Sequence, residues 1–176
     1  MFSREDLSIR ALEEKDLDFI KDLRNEPTTW YYLTSIEMLT SRGQLGWYNS
    51  LLQDSRRKYF VVEDQILQKN IGIVRCDEID HLNRSIRIGA DVSPVYRGKG
   101  YGTRTYQLVL DYCFNFLNMN RVWLEVLDFN EVGIKLYEMV GFVREGCLRQ
   151  AIYRDGKYHD YIVMSILREE YYGPRS

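Results

Sequence analysis

The chain has 176 residues, a formal net charge of −2, 45% hydrophobic and 28% charged residues. That size suits a single domain over residues 1–176 that buries about two thirds of its unfolded surface, and the acidic balance argues against extended contact with nucleic acid, whose affinity comes from phosphate neutralisation. No apolar run approaches about 18 residues and no basic start leads into an apolar core with small cleavage residues, so neither a membrane span nor a signal peptide is expected and the cytoplasm is the default.

In chain order, Leu7-Ser8-Ile9-Arg10 alternates and reads as an opening strand. Residues 13–23 read as a helix with acidic residues in the first turn, Leu17, Ile20 and Leu23 on one face, and Pro27 as its stop. A second helix is expected over residues 41–52, with Leu45, Tyr48 and Leu52 inward, weakened by Gly43 and Gly46 at about 1 kcal/mol each. Between them stand Trp30, Tyr31 and Tyr32, with Trp47 soon after; such rings stack on sugar faces and attract ammonium groups, which suits an acceptor pocket, whereas the bland reading for any one ring is a core patch. Tyr59-Phe60-Val61-Val62 and Ile71-Gly72-Ile73-Val74 form a hairpin pattern with residues 63–70 as the turn.

The stretch that organises the chain follows. Residues 85–92 alternate as a strand, residues 93–96 carry a proline, and Arg97-Gly98-Lys99-Gly100-Tyr101-Gly102-Thr103 opens a helix whose apolar face recurs at Thr105, Leu108, Val109, Tyr112, Cys113, Phe116 and Leu117. Glycines at a helix N-terminus strip side chains from amides that have no partner inside the helix, where the macrodipole adds positive charge, so this corner suits a phosphate. Arg97, Lys99 and Arg104 add three cations around it. A Walker A loop would need Gly-Lys-Ser/Thr, and a dinucleotide fingerprint would need glycine or alanine where Thr103 stands.

Past this helix, residues 121–127 read as a strand that the helical crossover makes parallel to the one at Ser85. Asn130 caps a helix that ends at Gly141, and residues 143–153 and 158–166 bracket an Asp155-Gly156 turn as a terminal hairpin. Residues 168–176 stay unassigned as a tail. Cys76, Cys113 and Cys147 are too few and too dispersed for a disulfide framework or a zinc site, and no metal site is expected.

Arg97-x-x-Gly100-x-Gly102 after a strand ending Val92-x-Pro94, together with Asn130 and Leu136-Tyr137-Glu138-x-x-Gly141-Phe142, resembles the two signatures of the GNAT superfamily of N-acetyltransferases. The resemblance implies a mixed α/β (α+β) fold: a twisted, mostly antiparallel sheet of about seven strands with one parallel pair, and about four helices. It also implies acetyl-CoA as co-substrate, its pyrophosphate on the amides of residues 97–103 (Arg97, Gly98, Lys99, Gly100, Tyr101, Gly102, Thr103), its pantetheine arm along Asp91 and Val92 and held by Asn130, and Tyr137 as the acid for the departing thiolate. A backbone N–H near Asp91 or Val92 is expected to polarise the thioester. Where many relatives carry a glutamate on the central strand, Arg87 stands here, and arginine takes no proton. The base is left among Glu78, Asp91, Glu125, His81 and a water chain.

For the acceptor, Trp30, Glu78 and Arg87 are the candidate contacts. Likeness to the RimJ/RimL branch and to nucleotide-aminosugar acetyltransferases ranks an aminosugar or related small amine first, a protein N-terminus second and a polyamine third. A non-catalytic acyl-CoA sensor of the same fold is the alternative of another class. A homodimer is the expected assembly.

Overall fold

The computed structural model describes residues 1–173. Eight strands form one sheet, β1 (Phe2–Arg4), β2 (Leu7–Ala11), β3 (Lys58–Asp64), β4 (Lys69–Asp80), β5 (Ser85–Val92), β6 (Arg121–Leu127), β7 (Val143–Arg154) and β8 (Lys157–Leu167), in the spatial order β1-β2-β3-β4-β5-β6-β8-β7. Only β5 and β6 pair in parallel. The strand beyond the expected seven is β1, too short for its alternation to show in the sequence.

Strand alternation gives the sheet two buried faces. Val62, Val74, Ile86 and Val122 point to one, where α4 (Tyr101–Asp111) and α5 (Glu131–Val140) cover them with Leu108, Val109 and Ile134. Val61 and Ile73 point to the other, beneath Ile20 and Leu23 of α1 (Leu17–Asn25) and Leu51 of α3 (Ser41–Leu52). The first helix starts later than its sequence suggests, because Glu14–Asp16 form a 3-10 turn in which Asp16 is bound by Arg10 at 2.6 Å. The proline at position 27 does not merely stop α1. It occupies the first turn of a separate short helix, α2 (Pro27–Trp30), where its missing N–H costs nothing.

The expected tail is partly structured. Residues Arg168–Tyr172 form α6, where Tyr171 stacks on Phe114 at 4.8 Å and Arg168 donates to the Phe114 carbonyl at 2.6 Å. The last residues of that tail lie outside the described residues.

Two features of the sheet make room for a site. β5 and β6 pair only at Ser85↔Arg121, Ile86↔Val122 and Arg87↔Trp123, after which they part and leave the upper half of β5 open on that side. On its other side β5 stays tightly paired with β4 as far as Gly72↔Val92. The approach is so close at Gly72 that a Cβ there would lie 2.2 Å from the Asp91 carbonyl oxygen. Gly72→Ala must therefore push the two strands apart, and an unfolding titration should show a loss of about 1–3 kcal/mol; unchanged stability would mean the strands tolerate separation there.

Candidate active site

The loop between β5 and α4 takes the conformation that its glycines allow. Gly98 and Gly100 have φ of +71° and +80°, and Gly100 is the N-cap of α4. The first helical bond runs from Arg104 N to the Gly100 carbonyl at 3.1 Å, so the N–H groups of Tyr101, Gly102 and Thr103 precede any intrahelical partner. These amides and the helix dipole form an anion-binding corner.

The three cations expected around it are committed elsewhere. Arg104 pairs with Asp6, Lys99 donates to the Val95 carbonyl at 2.9 Å, and Arg97 donates to the Val92 carbonyl at 2.9 Å and to Thr28 Oγ1 at 2.6 Å. Of the three, Arg104 is paired with a carboxylate, whereas Arg97 and Lys99 bond to neutral oxygens and keep their charge beside the corner.

A cavity of about 640 Å³ opens beside this corner, within the range of small-molecule sites. Of the residues expected to hold the cofactor, Asp91, Val92, Arg97, Gly98, Gly100, Gly102, Thr103, Asn130 and Tyr137 line it. Lys99 and Tyr101 do not: the Tyr101 hydroxyl is turned away to donate to Asp64 at 2.7 Å. Thr28, Thr29 and Tyr32 complete the lining from the opposite side.

The open edge of β5 supplies a further donor. Ser93 N bonds to the Ile71 carbonyl at 2.8 Å, on the β4 side, so by strand alternation Val92 and Ala90 direct their N–H groups toward the gap left by β6. The Val92 carbonyl, on that same side, is the one that Arg97 reaches.

Asn130 accepts from Gly133 N at 3.0 Å through Oδ1, as an N-cap does, and its Nδ2 has no protein partner among the described residues. Tyr137, two turns along α5, packs against Tyr106 of α4 with ring centroids 5.0 Å apart and hydroxyls 3.3 Å apart. Burial raises the pKa of both phenols, and with Tyr106 donating to Tyr137 the Tyr137 proton is free for the cavity. Tyr106 was not singled out in the sequence; it stands four residues past Gly102, one helical turn in, which is the signal that would have found it.

A second, polar cavity of about 120 Å³ adjoins the first, sharing Tyr32, Ala90, Asp91, Tyr106, Asn130 and Tyr137 with it. Its other walls include Arg75, Glu125, Thr34 and Tyr161. Glu125 Oε2 is held by Arg87 Nη1 at 3.2 Å, while Oε1 has no protein partner among the described residues. Asp91 differs: Oδ1 lies 3.4 Å from Arg75 Nη2 and Oδ2 is buried without a partner. Arg75 crosses over Gly89, where a Cβ would come within 2.8 Å of its guanidinium. Behind it, burial and the Arg75 charge lower the pKa of Arg24.

The three residues expected to touch the acceptor line neither cavity. Arg87 is clamped between Glu78 Oε1 at 3.2 Å and Glu125, over the Trp123 ring. Glu78 is exposed at an irregularity in β4, where the register shifts between Asp77 and Asp80 and its φ is +51°. Trp30 turns its indole N–H to the Ile36 carbonyl at 2.7 Å, and Trp47 packs on Tyr59. From that aromatic stretch it is Tyr32 that reaches the cavities. His81 is exposed on the β4–β5 turn, and no group of metal-ligating side chains occurs among the described residues.

Known proteins resemble this chain in sequence and fold. Residues 6–143 match the model of the acetyltransferase (GNAT) domain. A spermidine N(1)-acetyltransferase of Vibrio cholerae is 36% identical over 168 residues, covering 94% of this chain and 95% of the relative. The crystal structure of spermidine N-acetyltransferase from Vibrio cholerae in complex with CoA and spermine superposes with a TM-score of 0.91 at 33% identity, covering 97% of this chain and all of that one. A dodecameric structure of the Vibrio cholerae enzyme matches with a TM-score of 0.84 at 32% identity, covering 98% and 100%. The chain belongs to the GNAT acetyltransferase family. It is an acetyl-CoA-dependent N-acetyltransferase. No helix among the described residues is long and apolar enough to cross a membrane.

The anion corner is directly testable. Gly100→Val forces a β-branched side chain into φ near +80° and should raise the acetyl-CoA dissociation constant at least about tenfold by equilibrium titration. Wild-type affinity in a folded variant would place the pyrophosphate elsewhere.

Proposed function

We propose that this enzyme transfers acetyl directly from acetyl-CoA to a terminal primary amine of a spermidine-like polyamine, with the cofactor in the larger cavity and the amine in the smaller one. The observation that carries this reading is the polar cavity opening onto Tyr137 and Asn130 with the Glu125 carboxylate in its wall, its Oε1 without a protein partner among the described residues. Carboxylates attract and orient an ammonium group. The similarity to enzymes named for spermidine supports the same choice, and moves the polyamine ahead of the aminosugar ranked first from the sequence. The dodecameric relative supports an assembly larger than the expected dimer.

In this reading the Val92 N–H polarises the thioester carbonyl from the open edge of β5. Glu125 is the carboxylate within reach of the acceptor, since both oxygens of Asp91 are engaged or shut off and Glu78 and His81 lie outside. Through Oε1 it takes the proton that the bound ammonium loses, which frees the lone pair that bonds to the carbonyl carbon; the second N–H proton then leaves the adduct to solvent. The C–S bond then breaks and Tyr137 gives its proton to the thiolate. Arg87 acts through Glu125 by fixing Oε2, and Glu78 braces Arg87. Trp30 holds the 30–36 turn over the site through its indole N–H.

One observation favours a second reading. The Arg75 guanidinium in the same cavity wall suits an oxygen of a sugar or phosphate, as an aminosugar acceptor would present. Thiol release from acetyl-CoA across spermidine, spermine, nucleotide-linked aminosugars and peptides separates the two. We expect polyamines to give at least about tenfold higher kcat/KM, and a preference for the aminosugars would replace the polyamine.

Two substitutions test the roles. Glu125→Gln and Tyr137→Phe should each lower kcat about 100-fold with acetyl-CoA affinity retained, the usual size of an acid or base contribution; unchanged kcat would remove the role. Because burial raises the Tyr137 pKa, its proton is retained to higher pH than in free tyrosine. Any alkaline fall in kcat due to Tyr137 should therefore begin above about pH 10, and should vanish in Tyr137→Phe.

A further inference from the structure

The two cavities share a roof, the segment of residues 26–34 that carries α2. Thr28, Thr29 and Tyr32 cover the cofactor cavity, and Tyr32, Leu33 and Thr34 cover the acceptor cavity. Glu26 caps the segment from below, accepting from Thr29 N at 3.0 Å and Thr28 Oγ1 at 2.6 Å. Its far end is tied to the terminal hairpin: Arg154 donates to the carbonyls of Tyr31, Leu33 and Thr34, Tyr161 to Thr34 Oγ1 at 3.0 Å, and Tyr31 to Asp155 at 2.6 Å.

Its near end is tied to the cofactor loop by Arg97. The guanidinium donates through Nε to the Val92 carbonyl, through Nη1 to Thr28 Oγ1 at 2.6 Å and the Thr28 carbonyl at 3.3 Å, and through Nη2 to Thr29 Oγ1. All three guanidinium nitrogens thus donate to the strand or the roof, using four of the five N–H groups, at the residue that begins the glycine loop. Thr29 is buried while Arg97 and Thr28 are exposed, so the guanidinium lies along the rim of the site with its inner end anchored on Thr29.

We propose that Arg97 is a positioning residue that fastens the acceptor roof to the cofactor loop, so that the loop holding acetyl-CoA also sets the height of the roof over the amine. It acts on the acceptor through Thr28 and Thr29, not on the pyrophosphate through its charge. The proposal rests on the two-cavity reading above and is independent of which amine is the acceptor. A planar fork is needed here, because a single ammonium cannot span Val92, Thr28 and Thr29 together.

Steady-state kinetics and acetyl-CoA titration of Arg97→Ala and Arg97→Lys test it, with whichever amine the wild type turns over. A displaced roof should raise the acceptor KM about tenfold or more in both variants, while the acetyl-CoA dissociation constant stays within about threefold of wild type. A rise in the acetyl-CoA dissociation constant in Arg97→Ala that Arg97→Lys restores, with acceptor KM unchanged, would overturn the proposal and make Arg97 a phosphate ligand. The double variant Thr28→Ala with Thr29→Val leaves the loop intact and should reproduce the acceptor KM increase; a wild-type KM there would also overturn it. The wild-type titration stands apart from these outcomes, since failure to bind acetyl-CoA would fault the cavity reading rather than the role of Arg97.

Discussion

The parting of β5 from β6 after three paired residues is the constraint on which the rest of the structure depends. A strand in the middle of a sheet normally has both edges satisfied, and an unpaired buried amide costs free energy. Here the upper half of β5 is held firmly on one side by β4, with Gly72 bare to allow the approach, and is left open on the other. The gap leaves backbone groups of Ala90 and Val92 without a strand partner, which is what a substrate arm running beside them would supply. The fold carries that local deficit because the core on the face covered by α4 and α5 is continuous, from Leu7 and Ile9 at one side to Met164 and Ile166 at the other.

Around that gap the chain places its chemistry by simple geometry. β5 runs directly into the glycine loop, so the anion corner sits at the end of the open edge. β6 runs into Asn130 and α5, so Tyr137 enters from the strand that has swung away. Tyr106, on the helix that starts at the anion corner, meets Tyr137 and completes the wall. Two helices that begin at the two diverging strands thus close the same cavity.

Much of this was legible in the sequence, because the features that make it are local. Alternation over Ser85–Val92, glycines at 98, 100 and 102, and helical spacing after them all fall within one stretch, and the structure keeps their order and their limits almost unchanged. What was not legible depends on contacts between distant segments. The cations at 97, 99 and 104 look like phosphate ligands by spacing, yet their partners are Thr28, the Val95 carbonyl and Asp6. The sequence likewise does not show that β6 sets Glu125 beside Arg87, or that the 30–36 turn takes the Trp30 indole N–H. The short strand β1 and helix α6 hold through pairing with β2 and stacking on Phe114, neither of which leaves a periodic signal.

The account makes one structural demand above all: the diphosphate of acetyl-CoA sits on the amides that open α4, and its thioester enters the gap between β5 and β6 beside Val92 and Tyr137. A crystal structure of the protein with CoA measures this most directly. The account predicts the diphosphate within hydrogen-bond distance of the N–H groups between Gly98 and Thr103 and the thiol within reach of the Tyr137 hydroxyl. A cofactor bound outside the gap, with the edge of β5 left bare, would contradict it.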